Sequence, residues 1–156
     1  MLLRRISPER LRACLALSVE KHQEGWVASN MFSLAQASTD PCLHPRAVYD
    51  LDEWMNAPDR EPAMKGFVMY ELKDGAGFIM RLMIDAACQQ QGYGRATVME
   101  VIRVLRRTPE VRVIATSHRN DNAAAAALYA SLGFRPWTSS ATGAPGECYL
   151  YLDVDG

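Results

Sequence analysis

Met83-Ile84-Asp85-Ala86-Ala87-Cys88-Gln89-Gln90-Gln91-Gly92-Tyr93-Gly94-Arg95-Ala96 is the stretch that decides the fold of this chain. A strand ends, a loop with two glycines follows, and an amphipathic helix begins. In that helix Val98, Val101, Ile102 and Leu105 recur at i, i+3, i+4 and i+7, one apolar stripe. Such a junction is an anion site. The first turn of a helix has backbone N–H groups with no intrahelical partner, and the helix dipole adds partial positive charge. Gly92 and Gly94 lack Cβ, so a phosphate can approach the backbone closely, and Arg95 adds a cation. A G-x-G pair also serves as a plain tight connection. Two other phosphate loops fail: Gly92-x-Gly94-x-x-Thr97 lacks the third glycine of the dinucleotide fingerprint and lies late in the chain, and no G-K-[ST] follows.

Upstream, Gly66–Leu72 and Phe78–Ile84 read as strands joined at the turn signal Lys73-Asp74-Gly75, a hairpin. Downstream, the helix runs over Gly94–Arg107 and stops at Thr108-Pro109. Val111–Thr116 is a β-branched strand. Asp121 or Asn122 caps a helix that continues to Leu132, with Gly133 as its C′ residue. Phe134–Trp137 and Glu147–Asp153 are the last strands. At the other end, Leu2–Ile6 reads as a strand, and Ser7-Pro8-Glu9 starts a helix with Leu11 and Leu15 on one face. A second helix fits Asn30–Ser38, broken by the Asp40-Pro41 and His44-Pro45 steps, and Ala47–Asp50 is a short strand. Residues 51–64 read as an inserted loop or short helix. The element order implies an α/β (α+β) domain, a mixed sheet with helices packed on it. No composition shift divides the chain, so residues 1–156 form one domain.

Composition narrows the function. Hydrophobic residues at 49% and charged residues at 22% argue against disorder. The net charge of −1 and the lack of a basic block argue against nucleic acid. No apolar run is long enough to span a membrane and no leader pattern opens the chain, so a cytoplasmic location is expected. Cys14, Cys42, Cys88 and Cys148 form no C-x-x-C pair and read as buried free thiols; His22, His44 and His118 lack metal-ligand spacing, so no metal is expected.

The second motif is Asn122-x-x-Ala125-x-x-Leu128-Tyr129, then Leu132-Gly133-Phe134. On a helix Asn122 and Tyr129 lie two turns apart on one face, with Ala125 keeping that face shallow between them. Taken alone, it also fits an Ala-rich helix with Tyr129 in the core. Following Gln89-x-x-Gly92-x-Gly94 in this order, it resembles the GNAT N-acetyltransferase superfamily over residues 65–153. The run Arg81-Leu82-Met83-Ile84-Asp85, the Gly146-Glu147 pair and Gln23…Trp26-Val27-Ala28…Asn30 are most similar to bacterial spermine/spermidine (diamine) acetyltransferases.

The resemblance implies a mixed, mainly antiparallel sheet flanked by helices and splayed between its fourth and fifth strands, with a bulge opening the cleft. It implies acetyl-CoA as cosubstrate. Leu82, Met83 and Ile84 would bond the pantetheine arm like an added strand. Gln89, Gln90, Gln91, Gly92, Tyr93, Gly94 and Arg95 would hold the pyrophosphate, and Asn122 would contact the cofactor. Tyr129 would protonate the leaving thiolate. Some polyamine acetyltransferases carry a carboxylate on the fourth strand where this chain has Met80, followed by Arg81, so the base is unassigned; Glu20, Glu24, Asp50 and Glu147 are candidates by charge. The expected partner is a small-molecule amine, polyamine or other. The alternatives are a protein acetyltransferase acting on an α-amino or lysine amine, and a non-catalytic acyl-CoA-binding module. A pocket closed by residues 51–64 would favour a small molecule and an open groove a protein. Trp137, Tyr149 and Tyr151 read equally as a homodimer surface or as core.

Overall fold

The computed structural model describes residues 1–57, 59–137 and 144–154. Pro58, read from sequence as loop, lies outside them, as do the last two residues of the proposed 1–156 domain. Seven strands form one sheet: β1 (Leu2–Arg5), β2 (Leu43–Tyr49), β3 (Gly66–Lys73), β4 (Ala76–Ile84), β5 (Val113–Arg119), β6 (Arg135–Pro136) and β7 (Glu147–Asp153). The helices are α1 (Pro8–Ala16), α2 (Asn30–Thr39), α3 (Leu51–Met55), α4 (Tyr93–Arg106) and α5 (Ala123–Ser131). The strand order is β1-β2-β3-β4-β5-β7-β6, and every neighbouring pair is antiparallel except β4–β5.

The β3–β4 hairpin turns on Asp74 and Gly75, both at positive φ (49° and 79°), the conformation a two-residue hairpin of this hand requires. Across it Met69 pairs with Arg81 and Tyr70 with Ile79, so Met80 has no partner in β3 and forms the expected bulge. The parallel ladder to β5 joins Ala76–Ile79 to Val113–Thr116 and ends there. Beyond that rung β4 runs on to Ile84 without β5, while β5 runs on to Arg119 paired only with β7. The sheet forks.

Each face carries a core. On one, the α4 residues Val98, Val101, Ile102 and Leu105 pack with Val68, Ile79, Ile114 and Tyr129. Burying each such α4 side chain contributes about 1.5–3 kcal/mol, which fixes the helix and the loop that precedes it. On the other, Cys14 and partly buried Leu34 and Ala37 bring α1 and α2 onto Phe67, Met69 and Met83.

The structure corrects two local readings, at Pro45 and at the cysteines, and defines a third. The His44-Pro45 step does not interrupt β2, which begins at Leu43; the ladder with β1 ends at Arg46, so Pro45 pairs only with β3, where its missing N–H is tolerated. Residues 51–57 and 59–64 are the short helix α3 and an irregular strap, with Glu53 of α3 paired to Lys65. Asp50 caps α3, Trp54 meets Tyr49 edge-on at 5.1 Å beneath Arg4 and Arg10, and Glu61 accepts from Arg10 at 2.8 and 2.9 Å and from the Tyr49 hydroxyl. Of the four free cysteines only Cys14 is buried, its thiol pushed up to about 11 by desolvation. Trp137 is exposed on the outer edge, meeting half-buried Tyr151 at 5.8 Å. Among the described residues no helix is long and apolar enough to cross a membrane, and no group of three ligating side chains could hold a metal.

Candidate active site

The fork opens into a cleft of about 740 Å³. Ile79 and the freed stretch of β4 (Met80, Leu82, Met83, Ile84) form one wall, and Ser117, His118, Asn122, Ala125, Leu128 and Tyr129 the other. Ala86, Cys88, Gln89, Gln90, Tyr93 and Gly94 close one end. The third side is the α1–α2 connection: Val19, Glu20, His22, Gln23, Trp26 and Val27.

At the glycine loop, Gln90 and Gly92 have positive φ (60° and 83°), which curls the chain into the first turn of α4. Gly92 takes the cap position and has no side chain to occupy the helix end. The first helical bond runs from the Ala96 N–H to the Gly92 carbonyl at 3.0 Å, leaving the N–H groups of Tyr93, Gly94 and Arg95 without intrahelical acceptors. A Cβ at Gly94 would meet only Ile84 Cγ1, at 3.8 Å. These features fit a pyrophosphate. Tyr93 lies over the Lys65 ammonium at 5.7 Å, and Lys65 pairs with Glu53 at 2.8 Å. That pairing raises the ammonium's pKa.

At the vertex of the fork, Thr116 donates to the Ile79 carbonyl at 3.0 Å, across the last rung of the ladder. Tyr129, buried on α5 and edge-on to Phe134 at 5.3 Å, lies against that same Thr116. Burial pushes the phenol's pKa up, against a smaller opposing effect of Thr116, and keeps it protonated. Asn122 caps α5, its side-chain oxygen accepting from the Ala125 N–H at 3.0 Å, so its amide N–H groups are its donors toward the cleft.

Of the residues singled out from sequence, the fold brings Leu82, Met83, Ile84, Gln89, Gln90, Tyr93, Gly94, Asn122 and Tyr129 to this one cleft. Gln91, Gly92 and Arg95 sit beside it without lining it; the Arg95 guanidinium reaches Ser131 at 3.4 Å and Gln91 the Ala87 carbonyl at 3.4 Å. Of the four candidate carboxylates Glu20 alone lines the cleft among the described residues, its side chain accepting from the Gln23 N–H. Asp50 is spent as the α3 cap. None of the described residues of 51–64 lines the cleft. Sequence reasoning assigned no role to His22, Ser117 and His118, whose spacing does not single them out, and met Trp26 only within the Gln23…Asn30 stretch that carried the resemblance.

The wall formed by the α1–α2 connection is pinned to the loop after β4. Ser18 donates to Asp85 at 3.1 Å and accepts from Ala86 at 2.8 Å. Gln23 and Gln89 exchange amide bonds at 3.0 and 2.7 Å, and Gln89 also donates to the Ile84 carbonyl at 3.0 Å.

The chain's fold is shared with solved N-acetyltransferases at low sequence identity. The ribosomal-protein-S18-alanine N-acetyltransferase of Escherichia coli superposes with a TM-score of 0.69 at 19% identity, over 98% of this chain and 93% of that one. The spermidine N-acetyltransferase of Vibrio cholerae, solved with CoA and spermine, gives 0.73 at 15% identity, over 99% and 95%. The PaiA N-acetyltransferase of Thermoplasma acidophilum, solved with coenzyme A, gives 0.69 at 10% identity, over 97% and 98%. No curated protein sequence matches the chain. The model of the acetyltransferase (GNAT) family matches residues 28–134, more than half of the chain and both walls of the fork. The chain therefore belongs to the acetyltransferase (GNAT) family.

Proposed function

We propose that this cleft transfers the acetyl group of acetyl-CoA to a primary amine, with Tyr129 as the acid that completes the transfer. The observation that carries the reading is the placement of a buried, protonated phenol at the vertex of a fork whose far end is an unoccluded helix N-terminus. The fork spaces the two ends of one long ligand. Its pyrophosphate takes the N–H groups at Tyr93, Gly94 and Arg95, with Gln89, Gln90, Gln91 and Gly92 shaping the loop. Its pantetheine arm lies along the edge of β4 at Leu82, Met83 and Ile84 as an added strand, and Asn122 donates to it from α5.

Acetyl-CoA supplies the thioester. The amine nitrogen attacks the acetyl carbon; a C–N bond forms and the C–S bond breaks. The Tyr129 phenol gives its proton to the departing sulfur and is recharged by the proton that the attacking nitrogen sheds as it becomes the amide. An alkylammonium, of pKa about 10, must first lose a proton, which leaves through water at Glu20. The balance is ammonium plus acetyl-CoA to acetamide, CoA thiol and one proton.

A polycation would be held by several carboxylates facing the cleft. Only Glu20 does so among the described residues, which favours a monoamine over spermidine or spermine. Thiol release from acetyl-CoA across polyamines, amino acids, their amides and short peptides tests this. Tyr129→Phe should lower turnover about 10²–10⁴-fold with acetyl-CoA binding kept. Binding without turnover of any amine would mean a non-catalytic acyl-CoA-binding module.

A further inference from the structure

Arg81 is a charged side chain that the reaction above leaves unused. It follows the bulge residue Met80, and its register partner is Met69, so it faces the α1–α2 side of the sheet, between apolar Met80 and Leu82. A guanidinium offers five donors in a fixed fork. Here Nη1 donates to the Met80 carbonyl at 2.9 Å and Nη2 reaches Gln36 on α2 only at 3.4 Å. Nε is buried and has no partner among the described residues. Burial works against the charge and only Glu147 supports it. Leaving a buried donor unsatisfied is costly, the more so on a charged group. An apolar residue at this position would avoid that cost.

The location says what the cost is for. Met80 lines the cleft at the vertex, and Arg81 stands directly behind it, outside the lining. The glycine loop, α4 and α5 approach from the opposite face of the sheet, so the α1–α2 face is the one left for the acceptor. Ser117 lines the cleft and pairs with Tyr149; Glu147 pairs with Arg119 two residues further on the same strands. Ser117 and Glu147 thus share a face, and the field of Glu147 reaches Arg81 across the fork.

We propose that Arg81 binds a carboxylate carried by the acceptor, so that the substrate is an amino acid-like amine, its carboxylate taking the guanidinium donors that Gln36 now approaches. A planar carboxylate matches the guanidinium fork with two parallel bonds, which neither an amide nor a second ammonium can form. This inference rests on the acetyl-transfer reading above.

The test compares kcat/KM, at saturating acetyl-CoA, for glycine, alanine, β-alanine, 4-aminobutyrate and lysine, each against its carboxamide. At least one acid should exceed its amide about tenfold or more, the difference lying in KM. Arg81→Met should abolish the preference, Arg81→Lys should restore part of it, and Gln36→Ala should leave it in place. Melting temperature and calorimetric acetyl-CoA affinity show that each variant is folded; if Arg81→Met does not fold, the fall in preference must appear in Arg81→Lys. Amides, diamines or peptides turned over as well as the acids would overturn the inference. So would a preference that survives in the Arg81 variants, or acetyl-CoA binding with no turnover of either series. Failure of the wild-type chain to bind acetyl-CoA would instead overturn the acetyl-transfer reading, and calorimetry alone reports that.

Discussion

Glycines at the site separate into those the protein needs for itself and one it does not. A Cβ at Gly66 would stand 2.4 Å from the Met83 carbonyl, and one at Gly77 would stand 2.7 Å from a Leu105 methyl that is fully buried. Both are glycine because strand and helix leave no room. Gly94 is different: its Cβ would find 3.8 Å of free approach, and alanine is the better helix former by up to about 1 kcal/mol. Gly94→Ala should therefore hold or raise the melting temperature while weakening acetyl-CoA binding about tenfold or more, as calorimetry would record. An unchanged Kd would remove the anion from this helix end. The vertex is tied in the same sparing way: one hydroxyl, that of Thr116, bonds the Ile79 carbonyl across the last β4–β5 rung, beside Tyr129.

At the scale of elements, the cleft wall made by the α1–α2 connection is held by the loop after β4. The Gln23–Gln89 amide pair spans 66 residues of chain, and Ser18–Asp85 spans 67. Gln23→Ala should speed amide hydrogen exchange across both 18–28 and 86–91, read by mass spectrometry, and raise the KM for the amine several-fold; exchange quickened in the first segment alone would show that the pair carries no coupling. This link also explains what the sequence withheld. The glycine loop, α4 and α5 were legible because their signals are local: an apolar stripe, a cap at Asn122, a stop at Gly133. The wall at 19–27 has no periodicity to read, and its bonds lie far away in the chain. Pro45 misled because a proline's tolerance depends on how far the neighbouring strand extends, which β1 decides from 40 residues upstream. Residues 51–64 were ambiguous because Trp54 and Glu61 find their partners on β1, β2 and α1. The unpaired Nε of Arg81 is invisible in a sequence that shows only a polar residue in a strand.

The whole molecule is one sheet with a core on each face, its two halves joined by the four rungs from Ala76–Val113 to Ile79–Thr116 and by the α4-side core that spans them both. What parts them is a matter of counting. Ile79 and Arg81 sit opposite adjacent residues of β3, so β4 is one residue longer than its partner there. Deletion of Met80 would restore a continuous register with β3 and keep Leu82 and Met83 on the faces they now occupy. The freed edge of β4 would then meet Ser117 and the rest of β5 as a straight continuation of the ladder. Such a chain should melt at a higher temperature and bind no acetyl-CoA; a deletion variant that still binds it would place the cause of the fork elsewhere. The catalytic opening is then not a hollow carved from a finished sheet but a zipper stopped by a single surplus tooth.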